Sequence, residues 1–108
     1  MHQVGTALLL ADKINEENKK KYTYNFNRSN CHSKRSKNEI GFSSIRGGDI
    51  VGSHSVLFFS ENELLEIKHI SHSRKIFAEG AIKAAEFIVT KSPGKIYDMN
   101  DLISVISL

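Results

Sequence analysis

A chain of 108 residues, 40% of them hydrophobic, holds enough apolar material for one compact core and too little for two, so a single domain over residues 1–108 is expected. Its one cysteine, Cys31, excludes an internal disulfide, and no apolar run approaches the roughly 20 residues that cross a bilayer. The net charge of +3 hides a local excess: Lys19, Lys20, Lys21, Arg28, Lys34, Arg35 and Lys37 occur without a single acid between positions 19 and 37, and setting these seven aside from the 15 Lys and Arg leaves eight basic against 12 acidic residues, a net of −4.

The opening MHQVGTALLLADK lacks a basic leader and a cleavage site, so a cytoplasmic protein without a membrane partner is expected. From Gly5-Thr6 onward, Ala7, Leu10, Ala11 and Ile14 recur at helical spacing. Leu8 and Leu9 widen the apolar face, which predicts a first turn buried nearly all round. Thr6 reads as the N-cap, and Lys19 to Lys21 read as the last turn, where cations complement the helix dipole. A Gly-Thr pair at a helix start also offers free N–H groups and a hydroxyl to an anion. A plain cap is the simpler reading, because every helix must satisfy those donors.

Lys21 to Asn27 alternates aromatic and polar residues, with Tyr22, Tyr24 and Phe26 on one face, and predicts a strand. Arg28 to Asn38 has no apolar period and predicts a loop. A solvated loop is the plain reading of this basic stretch; a nucleic-acid surface over residues 19–37 is the alternative, with few aromatics to support it. Cys31-His32 offers too few donors for zinc. Ile40 to Ile45 and Ser53 to Phe59 each alternate with a period of two, and Arg46-Gly47-Gly48-Asp49 between them predicts a glycine turn joining two paired strands.

Glu63 to His72 predicts a further strand that forms a hairpin with its predecessor. His69 and His72 point to opposite faces of such a strand, so no metal site is expected. Ser73 to Lys91 predicts the second helix, with an apolar stripe of Phe77, Ala81, Ala84, Ala85 and Ile88 and an i,i+4 pair of Glu79 and Lys83. Gly80 within it marks a place where another backbone passes close. Ser92-Pro93-Gly94 ends that helix, and Asp98 or Asn100 caps a short last one. The order gives an α+β fold: a four-stranded mixed or antiparallel open sheet, two main helices on one face, and another copy of the chain over the apolar other face.

With these residues in place, the chain resembles the C-terminal domain of the 4-hydroxy-tetrahydrodipicolinate reductase (dihydrodipicolinate reductase) family of bacterial lysine and diaminopimelate synthesis. The likeness runs from about Gly5 to Leu102. It is carried by Gly5-Thr6-Ala7, by Ile40-Gly41-Phe42 leading to Arg46-Gly47-Gly48-Asp49-Ile50-Val51-Gly52 and His54, by Leu65-Glu66-Ile67 with His69, by Ser73-Arg74 with Phe77-Ala78 and Gly80-Ala81, and by Tyr97-Asp98-Met99. The run RGGDIVG followed by SRxxFAxGA is specific to that family.

The resemblance implies an oxidoreductase that uses NADPH or NADH on an N-terminal Rossmann half, with the present half supplying the dicarboxylate pocket and the tetramer contact. It implies that Gly5 and Thr6 hold a substrate carboxylate and that Arg74 and Phe77 lie on the cofactor and substrate side of the cleft. The open sheet would face other subunits in a homotetramer. The family's HHxxKxDxPSGTA reaches this sequence only as MHQVGTA, so no catalytic residue is assigned. Val4 stands in place of Ser, His2 does not match the His pair, and Ser53 replaces the Glu before His54. A G-x-G-x-x-G nucleotide loop is absent from these 108 residues. The expectation is a C-terminal part that binds no nucleotide tightly and does not catalyse alone, with no nucleic-acid or membrane partner. A purely structural oligomer is the further alternative.

Overall fold

The computed structural model describes residues 5–28 and 32–106. His2, Val4 and Cys31, singled out above, lie outside them. The fold is α+β, with two compact units, Met1–Ile70 and Ser71–Leu108. In chain order the elements are α1 (Gly5–Glu17), β1 (Thr23–Asn25), β2 (Glu39–Gly41), β3 (Gly52–Phe59), β4 (Leu64–Ser71), α2 (Lys75–Ile88) and α3 (Met99–Val105).

In the first unit, α1 buries Ala11, half-buries Ala7, Leu8 and Ile14, and packs against β3. Its first turn is not sealed all round: Leu9 is 68% exposed and Leu10 39%. The helix also stops before the three lysines expected to close it. The Asn18 side chain donates to the Ile14 carbonyl at 2.9 Å, and Lys19 and Lys20 both take a φ of 58°. Two successive left-handed residues cannot continue a right-handed helix.

Beyond that break, the Asn15 side chain acts as a strand partner for Tyr22. Its Oδ1 accepts from the Tyr22 N–H at 2.9 Å and its Nδ2 donates to the Tyr22 carbonyl at 3.1 Å. This leads the chain into β1, which pairs in parallel with β2, Thr23 opposite Glu39 and Asn25 opposite Gly41. Of the expected aromatic face Tyr24 and Phe26 come together, with Phe42 in place of Tyr22: the Tyr24 ring lies 6.2 Å from Phe26 and 5.4 Å from Phe42, and Phe26 stacks on Phe42 at 4.5 Å.

The four expected strands are present, but they form two two-stranded sheets, β1-β2 and β3-β4, in place of one four-stranded sheet. The run from Ile40 does not pair with Ser53–Phe59. It leaves extended pairing after Gly41, where the Phe42 N–H donates to the Asn25 carbonyl at 2.9 Å and the Phe42 ring is buried against Phe26. Stacked aromatic rings hold Phe42 to β1 and draw the strand away from β3. The glycine turn survives on its own, with Gly48 at a φ of 55°, a conformation that glycine adopts without a Cβ penalty. β3 pairs instead with β4 across residues 60–63, where the Ser60 N–H donates to the Glu63 carbonyl at 3.0 Å. A four-residue connection is too short for a parallel crossover, so this pair is antiparallel.

In the second unit, the Ser73 hydroxyl accepts from the Lys75 N–H at 3.1 Å ahead of α2. The ion pair on this helix is Lys75–Glu79 at 3.8 Å, not Glu79–Lys83, and both side chains are largely in water. A Cβ added at Gly80 meets nothing within 4 Å outside its own helix, so among the described residues no other backbone crowds it. Of the expected stripe only Ala84 is half-buried, along with Phe87, which lies outside it, while Phe77 and Ile88 remain about half exposed. α3 carries the firmest cap. Asp98 accepts from the Asn100 and Asp101 N–H groups at 2.9 and 3.1 Å, and the Asp101 carboxylate accepts in return from the Asp98 N–H at 2.9 Å. Among the described residues the buried apolar side chains are Ala11, Phe42 and Leu102.

Candidate functional site

The four residues expected at the site sit at the N-terminal turns of two helices. Gly5 and Thr6 are the first described residues of α1, inside the helix, so Thr6 is a first-turn residue and not the cap outside it. Both are exposed, and among the described residues nothing outside Gly5's own helix and chain neighbours lies within 4 Å of the place its Cβ would occupy. The leading N–H groups of a helix have no intrahelical acceptor, and the helix dipole makes that end electropositive. The first turn of α1 contains no acid to neutralise it. A small anion can therefore approach backbone donors with the Thr6 hydroxyl beside them.

Arg74 and Phe77 are brought together at the start of α2. Arg74 occupies the cap position with helical φ and ψ of −67° and −12°, and its carbonyl accepts from the Phe77 and Ala78 N–H groups at 3.0 and 3.3 Å. Its guanidinium is in solvent, and Phe77 presents a ring that is 55% exposed. This turn is also free of acids. An exposed cation beside an exposed ring can meet a planar anionic ligand by charge and by stacking. Gly5 and Thr6 belong to the first unit, Arg74 and Phe77 to the second.

Two further constellations had no clear trace in the sequence pattern. On α1 and β1, the Tyr24 hydroxyl donates to the Asp12 carboxylate at 2.6 Å, beside a cleft of about 250 Å³ bordered also by Asn15, Glu16 and Lys20. The Asp12 carboxylate, accepting that hydrogen bond, raises the Tyr24 hydroxyl above the ordinary tyrosine range. Spacing could not reveal this contact, because it depends on the break after Glu17. In the second unit, a groove of about 420 Å³ runs between α2 and α3, floored by Phe87, Leu102 and Val105 and edged by Lys83, Glu86 and Lys91. Lys91 lies 4.7 Å over the Phe87 ring, and the Tyr97 hydroxyl donates to the Ser92 carbonyl at 3.2 Å.

His54 on β3 is half-buried, and His69 on β4 is exposed. Among the described residues no three His, Cys, Asp or Glu side chains gather as a metal site would need, and no helix is long and apolar enough to cross a membrane.

Residues 3–103 match the sequence profile of the family described as "Dihydrodipicolinate reductase, C-terminus". The chain is 50% identical over 100 residues to the 4-hydroxy-tetrahydrodipicolinate reductase of Clostridium tetani, a match that covers 93% of this chain and 38% of that protein. It is 44% identical over 99 residues to the enzyme of the same name from Caldanaerobacter subterraneus, covering 92% and 39%. With the Brachyspira hyodysenteriae enzyme of that name it shares 47% over 100 residues, covering 93% and 42%. The chain thus spans about two-fifths of the length of these curated relatives. A match over nearly every residue, at this identity, means that the chain belongs to the dihydrodipicolinate reductase C-terminal family, a family of oxidoreductases.

Proposed function

We propose that this chain is the substrate-binding and oligomerisation part of an NAD(P)H-dependent 4-hydroxy-tetrahydrodipicolinate reductase of lysine and diaminopimelate biosynthesis, working in the cytoplasm. The observation that carries the proposal is the match over residues 3–103. The geometry of the helix tips supports it. Gly5 and Thr6 hold one carboxylate of a cyclic dicarboxylate through backbone N–H groups and the hydroxyl, at an exposed helix start with no acid in its first turn. Arg74 and Phe77 line the side of the cleft toward the nucleotide. The nicotinamide supplies a hydride when a nucleotide-binding half is present, and this stretch contributes orientation and charge, not the proton donor.

The sheet supports the oligomerisation role. On β3, Gly52, His54 and Val56 are half-buried while the alternating Leu57 and Phe59 are exposed. β4 is exposed on both faces, with Leu65 and Ile67 on one and Leu64 and Ile70 on the other. A further copy, in a homotetramer, covers this apolar surface.

Calorimetric titration with pyridine-2,6-dicarboxylate tests the pocket. Binding by the chain and its weakening in Thr6→Ala are expected; equal binding in the two removes Thr6 from the site. NADPH oxidation should appear only when a nucleotide-binding half is added. Oxidation of NADPH by the chain alone, or none after addition, defeats the assignment.

A further inference from the structure

The parallel pairing of β1 and β2 gathers two basic runs that are separate in the sequence. Because Thr23 lies level with Glu39, the two strands are entered from the same end, with Lys21 two residues ahead of one and Lys37 two residues ahead of the other. Lys19, Lys20 and Lys21 arrive from the end of α1, and Lys34, Arg35 and Lys37 from the segment before β2. All six are exposed. The two approaches are tied together at that end, where the Thr23 N–H and hydroxyl both donate to the Asn38 carbonyl, at 2.8 and 3.2 Å.

Of the acids near this edge Glu39 is engaged, while Glu17, at the end of α1, is exposed and enters no ion pair among the described residues. Glu39, with a side chain only 12% exposed, lies 3.6 Å from the Arg28 guanidinium. At that distance the contact is an ion pair without a hydrogen bond, and the same Glu39 oxygen has no hydrogen-bond donor. Arg35 donates to the Glu39 backbone carbonyl at 3.1 Å, a neutral acceptor that leaves its charge uncompensated. Lys20 shares the small cleft with Asp12 and Glu16. Among the described residues, Lys19, Lys21, Lys34 and Lys37 enter no ion pair.

We infer that this edge docks a single strand of nucleic acid through its phosphates, without reading its bases. Flexible lysines act as point charges suited to phosphate, and they carry no sequence information. Tyr22 and Tyr24, the rings closest in sequence to the edge, are both half-buried, and the Tyr24 hydroxyl is held by Asp12, so neither offers an open stacking platform among the cations. Strands of three residues do not fill the major groove of a duplex. The acidic surface of a second copy is the weaker partner, because the chain's 12 acids are spread along the sequence, never more than two in succession, with no run to match these cations. The inference does not rest on the reductase assignment.

Fluorescence anisotropy with a labelled single-stranded DNA of about 20 nucleotides tests it, between roughly 50 and 200 mM salt. With the five uncompensated cations engaged, the slope of log affinity against log salt is about −3.5, a loss of about 100-fold across that range. Lys21→Gln with Lys37→Gln should reduce the slope by about 1.4, while Lys→Arg at both positions should retain it. Lys83→Gln with Lys91→Gln should change nothing, and inorganic polyphosphate should displace the strand. Affinity that is flat with salt overturns the inference, as does an equal loss in the Lys83 and Lys91 variant. Binding of polyphosphate without binding of DNA also overturns it. Salt-sensitive self-association in light scattering, abolished by the Lys21 and Lys37 change, would hand the edge to a second copy.

Discussion

Ile67→Asp gives the sharpest test of the sheet as an assembly surface. The β3–β4 hairpin sets Ser60 opposite Glu63, so Phe58 and Leu65 share the face of Ile67. The three are 40, 57 and 60% exposed, and complete burial of such a side chain is worth about 1.5–3 kcal/mol. About half of that remains available at each position, which amounts to about 3.5 kcal/mol per protomer. Two copies meeting through this surface gain about 7 kcal/mol, against an association cost of about 4–15 kcal/mol. With the terms so nearly balanced, a single side chain decides the outcome. The aspartate removes about 1 kcal/mol of transfer energy from each copy and buries a carboxylate whose desolvation costs several more. The expected loss exceeds about 3 kcal/mol per pair, which weakens association by at least about 100-fold. Sedimentation velocity over a concentration series reads this directly. Far-UV circular dichroism should be unchanged, because Ile67 contributes little to the fold of one chain when more than half exposed. A parent chain that stays monomeric at the highest concentration, or an Ile67→Asp chain that associates equally well, refutes the reasoning.

Gly80→Ala should stabilise the separate chain by roughly 0.5–1 kcal/mol, since the new Cβ meets no atom within 4 Å outside its own helix; no rise in thermal midpoint would mean that the position is crowded. The Asp98 carboxyl is held below the ordinary carboxylate range, chiefly by the hydrogen bond from the Asp101 N–H. Its contribution to the last helix is therefore present above the unfolded value and lost as pH falls through the lower folded one. Acid titration of helicity should show this loss, and Asp98→Asn, which keeps a capping side chain without the charge, should remove that part of the pH dependence. Tyr24 behaves with the opposite sign: its raised value favours the protonated hydroxyl, so its contribution is full below the ordinary tyrosine range and lost as pH rises through the folded value. Tyr24→Phe should remove the tyrosine transition displaced above the ordinary range from an alkaline absorbance titration; if that transition persists, Tyr24 does not carry it.

Much of the fold was legible because local rules and tertiary packing agree. Alternation in Thr23–Asn25, Gly52–Phe59 and Leu64–Ser71 became strands, the 3.6-residue period of Lys75–Ile88 became a helix, and Asp98 became a cap. Pairing was less legible. The sequence pattern made Ile40–Ile45 as good a strand as Ser53–Phe59, and a glycine turn between two such runs is the usual mark of a hairpin. Periodicity could not weigh that hairpin against a stack of Phe42 on Phe26 at 4.5 Å, formed by residues 16 positions apart. The lysines after α1 misled for a related reason. They suit the dipole of a helix end, but the Asn18 side chain donates to the Ile14 carbonyl at that end, and the Asn15 side chain accepts from the Tyr22 N–H beyond it.

The candidate site was legible to unequal degrees, and the difference is physical. Gly5-Thr6 at the head of an apolar period already implied exposed donors at a helix start, whatever they bind. Arg74 and Phe77 carried no such mark: as a pattern, Phe77 is one more residue of an apolar stripe that ought to be covered. Its 55% exposure, one turn from a cation in solvent, changes that reading. An apolar ring left in water beside Arg74 is costly for the isolated chain, by about 1–2 kcal/mol relative to burial, and a ligand or a second domain that covers it recovers that energy. Loss of affinity in Phe77→Ala with little loss of thermal stability is the corresponding result, because a ring more than half exposed in its own chain contributes mainly to what covers it.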